Sequence, residues 1–348
     1  MYQCPKQTIQ HSSIPLFSLV CLTFLNLSMK LQYSIIVPVY NRPKEVDELL
    51  ESLTLLKGGI SFEVIIVEDG SPNTSEKIVL KYREKLKINY FLTENQGAGK
   101  SRNYGIQKAT GNYFIIFDSD CLIPENYLSA VDKQLQVKYT DAFGGPDAAH
   151  DSFTYVQKAI NYSMTSILTT GGIRGNKNSV GKFQPRSFNL GISKKAFDKT
   201  KGFLDLKIAE DIDLTFRLWK YGYETQLIED AFVYHKRRVD FKQFYKQTNA
   251  FGAARPFLKT RYPETAKITY WFPSVFLIGG FVSLFGILFK LPQGIYLYVL
   301  YFSVLALHAA IENKSIKVGG LAVFSTIVQF YGYGTGFLKS YFLKNKKP

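Results

Sequence analysis

Three short apolar runs, each closed by polar or acidic residues, constrain this chain more than any other feature. Tyr33–Val39 leads into Tyr40-Asn41, Phe62–Val67 into Glu68-Asp69, and Tyr113–Phe117 into Asp118-Ser119-Asp120. Continuous apolar runs of strand length suit strands buried on both faces. Helical patterns lie between them. The first runs to about Leu56 on Val46, Leu49, Leu50 and Leu53, with Asn41 expected as its cap and Pro43 in its first turn. Asp69-Gly70-Ser71-Pro72 supplies turn chemistry, and a helix near Ser75–Leu86, a short strand at Ile88–Leu92 and a helix over Gly97–Ala109 follow. Strands alternating with helices predict an α/β fold with a mostly parallel sheet. Ligands bind such sheets beyond the carboxyl ends of the strands, where these polar residues fall.

The rest of the chain is organised differently. Ile268–Phe289, Ile295–Ile311 and Val318–Leu338 are apolar stretches, each near the ~20 residues that span a hydrocarbon core. They show almost no polar face, which disfavours a soluble helical hairpin. Three spans would put the basic residues Lys339, Lys344, Lys346 and Lys347 opposite the catalytic part, against the positive-inside rule. One stretch is therefore expected to lie in the interface or re-enter, and Pro273 with Gly279-Gly280 makes the first the most suspect. At the other end Ile14–Leu27 is too short for a span, and Met29-Lys30 offers a later start. The expected organisation is an extension over 1–28, a catalytic domain over 29–262, a membrane region of two to three helices over 268–338 and a basic tail over 339–348. The 46% hydrophobic and 20% charged composition excludes a disordered chain. Net charge of +15 suits anionic lipid or phosphorylated ligands, and no nucleic-acid motif accompanies it. Three cysteines without metal-type spacing point to a reducing compartment, hence a membrane protein with its catalytic domain facing the cytosol.

Several residues are suited to chemistry. Asp118 and Asp120, at a strand end, can hold Mn²⁺ or Mg²⁺ and leave positions for phosphate oxygens. Glu68-Asp69 is an ordinary turn or an acidic contact to a nucleotide. Asn95–Asn103 opens a helix with Gly97 and Gly99, which admit a ligand closely, and with Lys100 and Arg102. It lacks P-loop spacing. Glu210-Asp211 begins a helix, either for structural reasons or as a general base. His235, after the apolar strand Ala231–Tyr234, is structural, a third metal ligand or a phosphate contact. Asp240–Arg261 reads as an amphipathic helix on a membrane or a helix over the site, interrupted at Pro256. Asp147, His150, Arg174 and Arg186 lie in the segment 140–186, expected to face an acceptor.

Taken in order, these pieces resemble glycosyltransferase family 2, whose catalytic domain has the GT-A fold, over roughly residues 31–255. Ile35–Asn41 is similar to the family's opening strand, which places Pro38, Tyr40 and Asn41 at the nucleotide. Val67–Ser71 resembles the second strand, with Asp69 at the nucleobase. Asn95–Ile106 resembles the Asn-x-Gly…Ala-Arg-Asn-x-Gly segment, with Ser101 for the usual Ala. It implicates Gly97, Lys100, Arg102 and Asn103 in donor binding. Asp118-x-Asp120 is similar to the metal motif, the first carboxylate on ribose or metal and the second the principal ligand. Ser187–Lys194 looks like the acceptor-side segment, implicating Asn189 and Gly191, and Gly202-Phe203 like the Gly-Phe before the base. Glu210-Asp211 matches the family's Glu-Asp, which makes Asp211 the expected base, and Tyr234-His235 resembles a late His near the metal or diphosphate.

The resemblance implies an inverting, metal-dependent hexosyltransferase of cell-envelope polysaccharide biosynthesis. Its donor would be a nucleotide-diphosphate sugar, with UDP favoured, and the apolar anchor suggests a lipid-linked acceptor, such as a polyprenyl-phosphate or a glycan built on one. Gln247–Phe251 lacks the Arg and Trp of the processive synthases' Gln-x-x-Arg-Trp, which favours one sugar per encounter. A polyprenyl-phosphate sugar transferase and a non-catalytic nucleotide-sugar-binding scaffold are the alternatives.

Overall fold

The computed structural model describes residues 30–171 and 182–343. The extension over 1–28, Arg174 and residues 344–348 of the basic tail lie outside the described residues.

The chain opens with β1 (Tyr33–Val39), α1 (Pro43–Thr54), β2 (Phe62–Asp69), α2 (Glu76–Tyr82), β3 (Ile88–Thr93), α3 (Ala98–Lys108) and β4 (Tyr113–Phe117). Strands β1, β2 and β4 are buried almost throughout, as their unbroken apolar runs require. Short elements follow: β5 (Cys121–Leu122), α4 (Tyr127–Val137), β6 (Ala142–Gly144), β7 (Asp147–Ala148), α5 (Tyr155–Thr165) and α6 (Ile167–Thr170). Then come β8 (Asn189–Ser193), α7 (Lys194–Thr200), α8 (Glu210–Lys220), β9 (Thr225–Leu227) and β10 (Val233–His235). Four long helices complete the chain: α9 (Phe241–Arg261), α10 (Phe272–Leu288), α11 (Gln293–Glu312) and α12 (Ile316–Leu343).

The main sheet has the order β3-β2-β1-β4-β8-β6-β9. Strands β3, β2, β1 and β4 are parallel, and β8 runs antiparallel to both β4 and β6. A second sheet joins β5, β10 and β7. The main core packs Ile36, Val67, Phe114, Ile116, Leu190 and Leu218 among others.

Three local expectations are corrected. Asn41 does not cap α1: it sits at φ 55°, and Arg42 holds the cap position without a side-chain bond. Its backbone N–H is instead held by Ser71 Oγ at 2.7 Å, so a contact from the neighbouring strand end fixes the turn. Pro256 does not interrupt α9, which continues to Arg261. Close packing on α12 sustains it: a Cβ on Gly252 would lie 2.0 Å from the Tyr333 carbonyl oxygen. The third correction concerns which apolar stretch stands apart. Ile268–Leu288 and Gln293–Glu312 are long and apolar enough to cross a membrane, and only 6% and 11% of their apolar windows is buried. Pro273 lies in the first turn of α10, where its missing N–H costs nothing. The third stretch, α12, is the exception, with Ser325, Thr326, Gln329 and four glycines on its buried side. Helix α9 in turn lies over α8, through Ala254, Phe257, Leu258 and Tyr262 against Ile212 and Phe216.

Glu63 on β2 shows how the parallel strands are tied. Its buried carboxylate accepts from Ser34 Oγ at 2.8 Å and from Thr110 N and Oγ1 at 2.6 and 2.8 Å, with Lys87 Nζ 3.6 Å away. Burial pushes this carboxyl up, but the donors outweigh it and hold it below its ordinary 4.5. A depressed folded value contributes stability that is full above the ordinary value and is lost as pH falls through the folded one. Glu63→Gln should therefore flatten the acid limb of a melting-temperature profile below pH 4.5. It should also cost roughly 1–3 kcal/mol at neutral pH. Thermal unfolding in detergent across pH checks both.

Candidate active site

The topology assembles one edge. Strands β1, β2 and β4 are parallel, so Val39, Asp69 and Phe117 end on the same side. The antiparallel β8 starts there, with Asn189 opposite Phe117. In the second sheet His235 pairs with Cys121, one residue after Asp120.

A buried guanidinium organises the acids at this edge. Arg102 donates to Asp118 Oδ1 from Nη2 and to Glu210 Oε1 from Nη1, both at 2.8 Å. Its guanidinium lies 5.3 Å from the centre of the Phe203 ring. Burial favours loss of the Arg102 proton, but Asp118 and Glu210 outweigh it and push its value up. Burial, joined by Asp211, raises the Glu210 carboxyl despite Arg102. Asp211 is half-buried at the start of α8. Its Oδ2 accepts from Ser187 N at 3.3 Å and its Oδ1 from Ile212 N at 2.8 Å. Arg102 thus joins the Asp118 motif to the helix that begins at Glu210-Asp211.

Asp120 faces a different set. Arg42 pairs with its Oδ2, and His235 Nε2 lies 3.2 Å from its Oδ1. Burial would raise its carboxyl, but His235 and Arg42 hold it well below the carboxylate range. Phe188 stacks on the His235 ring at 4.6 Å. Ligand atoms of Asp120, Cys121 and His235 lie within 4.8 Å of one another. His235 Nδ1 is buried without a hydrogen-bond partner, and Asp120 Oδ1 faces only His235 Nε2, without a well-formed hydrogen bond, so both atoms can take a further ligand. Carboxylate oxygens suit Mn²⁺ or Mg²⁺, and neutral imidazole is a common metal ligand. Cys121 suits a hard ion poorly: burial keeps its thiol protonated, and its Sγ lies 3.6 Å from the Phe188 carbonyl oxygen. A divalent cation therefore fits Asp120 and His235, with Asp118 two residues away.

Other expected residues are placed as follows. Asp69 accepts from Gln96 N at 2.8 Å and Gly97 N at 2.9 Å, so its carboxylate shapes the loop before α3. Gly97 stands at φ 92°, a conformation L side chains avoid. Pro38 is inside β1, and Tyr40 is half-exposed beyond it. Lys100 pairs with Asp205 at 2.9 Å. Asn103 clamps Phe203 through both its backbone groups, at 2.7 and 2.8 Å. Asn189 accepts from Tyr127 Oη at 2.6 Å and donates to the Ala231 carbonyl at 2.8 Å. A Cβ on Gly191 would lie 1.9 Å from the Phe143 ring, so close sheet packing demands the glycine.

Sequence reading missed Arg42, Ser71 and Phe188. Arg42 had a signal, since it follows the first strand end directly. Ser71 links Asn41 to Glu68 across two strand ends, which no local pattern reveals.

Removing Arg102 leaves two carboxylates without their shared cation. Arg102→Met should cost about 3 kcal/mol, since a broken buried pair strands its charges. Adding Glu210→Gln should recover part of that loss, whereas simple loss of packing would not be recovered. Denaturant unfolding of the single and double variants checks this.

Comparison with known proteins accords with this arrangement. Residues 34–200 match the family described as Glycosyl transferase family 2. An uncharacterized glycosyltransferase of Haemophilus influenzae is 32% identical over 53% of this chain and 61% of its own. The Staphylococcus aureus poly(ribitol-phosphate) beta-N-acetylglucosaminyltransferase TarS is 39% identical over 28% of this chain and 18% of its own. The chain thus covers less than two thirds of the length of these curated relatives. The mannosyltransferase PcManGT of Pyrobaculum calidifontis, solved with GDP-Man and Mn²⁺, superposes with a TM-score of 0.58 at 14% identity. That alignment covers 95% of this chain and 94% of the other and shows a common GT-A-like fold. Residues 34–200 of this chain are a glycosyl transferase family 2 domain.

Proposed function

We propose that this protein is an inverting, metal-dependent glycosyltransferase that moves one sugar from a nucleotide-diphosphate sugar to a lipid-linked glycan. The observation that carries the reading is the Arg102 bridge, which fixes the start of α8 beside the Asp118 motif at the edge where the parallel strands end. PcManGT, which shares the fold, was solved with a nucleotide sugar and Mn²⁺, and supports a donor and ion of this kind.

In this reading Asp120 and His235 hold a divalent cation, with Asp118 beside them. Such an ion, when bound, offsets negative charge on the diphosphate. Asp211 accepts the proton of the acceptor hydroxyl, whose oxygen bonds to the anomeric carbon as the bond from that carbon to the diphosphate oxygen breaks. Attack opposite the leaving diphosphate inverts the anomeric centre. Glu210, paired with Arg102, fixes the first turn of α8. Asp69, Gly97 and the amides they arrange line the donor side.

The two apolar helices support a membrane acceptor. A pair of spans returns the chain to the side it left. Catalytic domain and basic tail then share the cytosolic face, as the positive-inside rule favours.

The test offers UDP-, GDP- and dTDP-sugars to the detergent-purified protein with Mn²⁺ or Mg²⁺ and measures nucleoside diphosphate release. One donor should turn over, and chelation should abolish release. Asp211→Asn should slow it by about 10²–10⁴-fold, and Asp120→Ala should remove metal-dependent donor binding. Donor binding indifferent to metal and to Asp120→Ala would sink the mechanism.

A further inference from the structure

A cavity of about 260 Å³ lies between the C-terminal part of α9, the turn over Ile268–Trp271 and the C-terminal part of α12. Arg255, Lys259 and Lys267 line it with Tyr270, Trp271 and Tyr341, and its lining contains no carboxylate. Arg255 is only 9% exposed. Its guanidinium lies 4.5 Å over the Tyr270 ring and 3.4 Å from that phenol oxygen. Lys259 Nζ lies 5.5 Å over Tyr341. Among the described residues no carboxylate forms a salt bridge with Arg255 or Lys259. A buried guanidinium matched by aromatic rings and by the neutral phenols of Tyr270 and Tyr333 lacks the counter-charge that burial demands.

The position of the cavity narrows the missing anion. Trp271 is followed at once by α10, the first helix apolar enough to cross a membrane. Aromatic rings and cations at the foot of such a helix match the chemistry of the lipid headgroup layer. The cavity is also electrically linked to the catalytic edge. Burial pushes the half-buried Arg186 guanidinium down; Asp211 opposes that and Arg255 adds to it.

We infer that this cavity holds the phosphate of a membrane lipid, with Arg255 and Lys259 as its counter-ions and the lipid chain lying along α10. The inference rests on the membrane part of the proposed function and not on sugar transfer. A lipid phosphate seated beside Arg255 would suit a lipid-linked acceptor whose glycan reaches the site. A structural anionic phospholipid has the same phosphate chemistry.

The experiment is native mass spectrometry of the full chain released from detergent with phosphatidylglycerol, polyprenyl phosphate or diacylglycerol. The wild type should retain the two phosphate lipids and not diacylglycerol. Lys259 is exposed, so Lys259→Gln should fold normally and weaken retention about fivefold, the worth of one cation at an anionic surface. Arg255→Lys should retain lipid better than Arg255→Gln. Preference for polyprenyl phosphate would assign the site to the acceptor, and equal retention would assign it to structural lipid; both support a lipid-phosphate site. Diacylglycerol retained as well as the phosphate lipids, or no effect of Lys259→Gln in a protein of unchanged melting temperature, would overturn it. So would displacement of lipid by millimolar inorganic phosphate alone. Diphosphate release measured on the same samples separates failure of this site from failure of the transferase reading.

Discussion

The structure depends on one buried cation. Arg102 comes from the helix that follows β3, Asp118 from the end of β4, and Glu210 from the start of α8, yet all three meet through one guanidinium. Remove Arg102 and Glu210, only 15% exposed, is left largely buried without its cation, a penalty of several kcal/mol by general experience. Two further features hold the junction. Ala209 adopts φ 63°, so α8 starts abruptly at Glu210, and the Phe203 ring covers the guanidinium. Asn103 pins Phe203 from the same helix that carries Arg102. The sheet supplies an edge, and this cluster sets which acids stand on it.

The same logic extends toward the C-terminal helices. Helix α8 is covered by α9, and α9 is seated on α12 by close backbone contacts at Gly252, Gly332 and Gly336. Tyr262, at the end of α9, donates to Asp213 of α8 at 2.8 Å. The apolar helices α10 and α11 therefore connect to the catalytic edge through packed helices rather than a slack linker. Small residues on α12 make that possible, because they let backbones approach where larger side chains would hold them apart.

Much of the fold was legible because buried parallel strands leave an unmistakable trace. Tyr33–Val39 and Tyr113–Phe117 were read to the residue, since every position on them is buried. The place of Asp118 and Asp120 in the fold was legible for a related reason: they follow such a strand directly. What failed depended on partners distant in sequence. Asn41 looks like a cap, but Ser71 takes its N–H. Pro256 looks like a break, but α12 supports the helix through it. The third apolar stretch looks like a span at first sight, but it is less apolar than the first two, and its polar and glycine residues face a packed side. Asn103, Asn189 and Gly191 carry the family pattern, yet their visible partners are Phe203, Tyr127 and Phe143. A motif records that a residue matters without recording which way its side chain points.

The two carboxylates of the Asp118-Ser119-Asp120 motif are not equivalent, and the difference lies in their cations. Asp118 is held by Arg102, whose side chain is 4% exposed and locked at both ends. Asp120 is held by Arg42, whose side chain is 35% exposed and follows the half-exposed Tyr40 and Asn41. A partly exposed arginine on a turn can return to water, but Asp120 is only 8% exposed and needs another cation in its place. A buried, doubly paired arginine cannot return to water. Under the proposed reading Asp118 is therefore a fixed member of the scaffold, and Asp120 is the carboxylate that an arriving cation can claim. Arg42 is then free to swing toward the negative charge that a nucleotide diphosphate would bring. The turn after β1, which looked like a helix cap, becomes the place where donor binding and cation exchange are coupled.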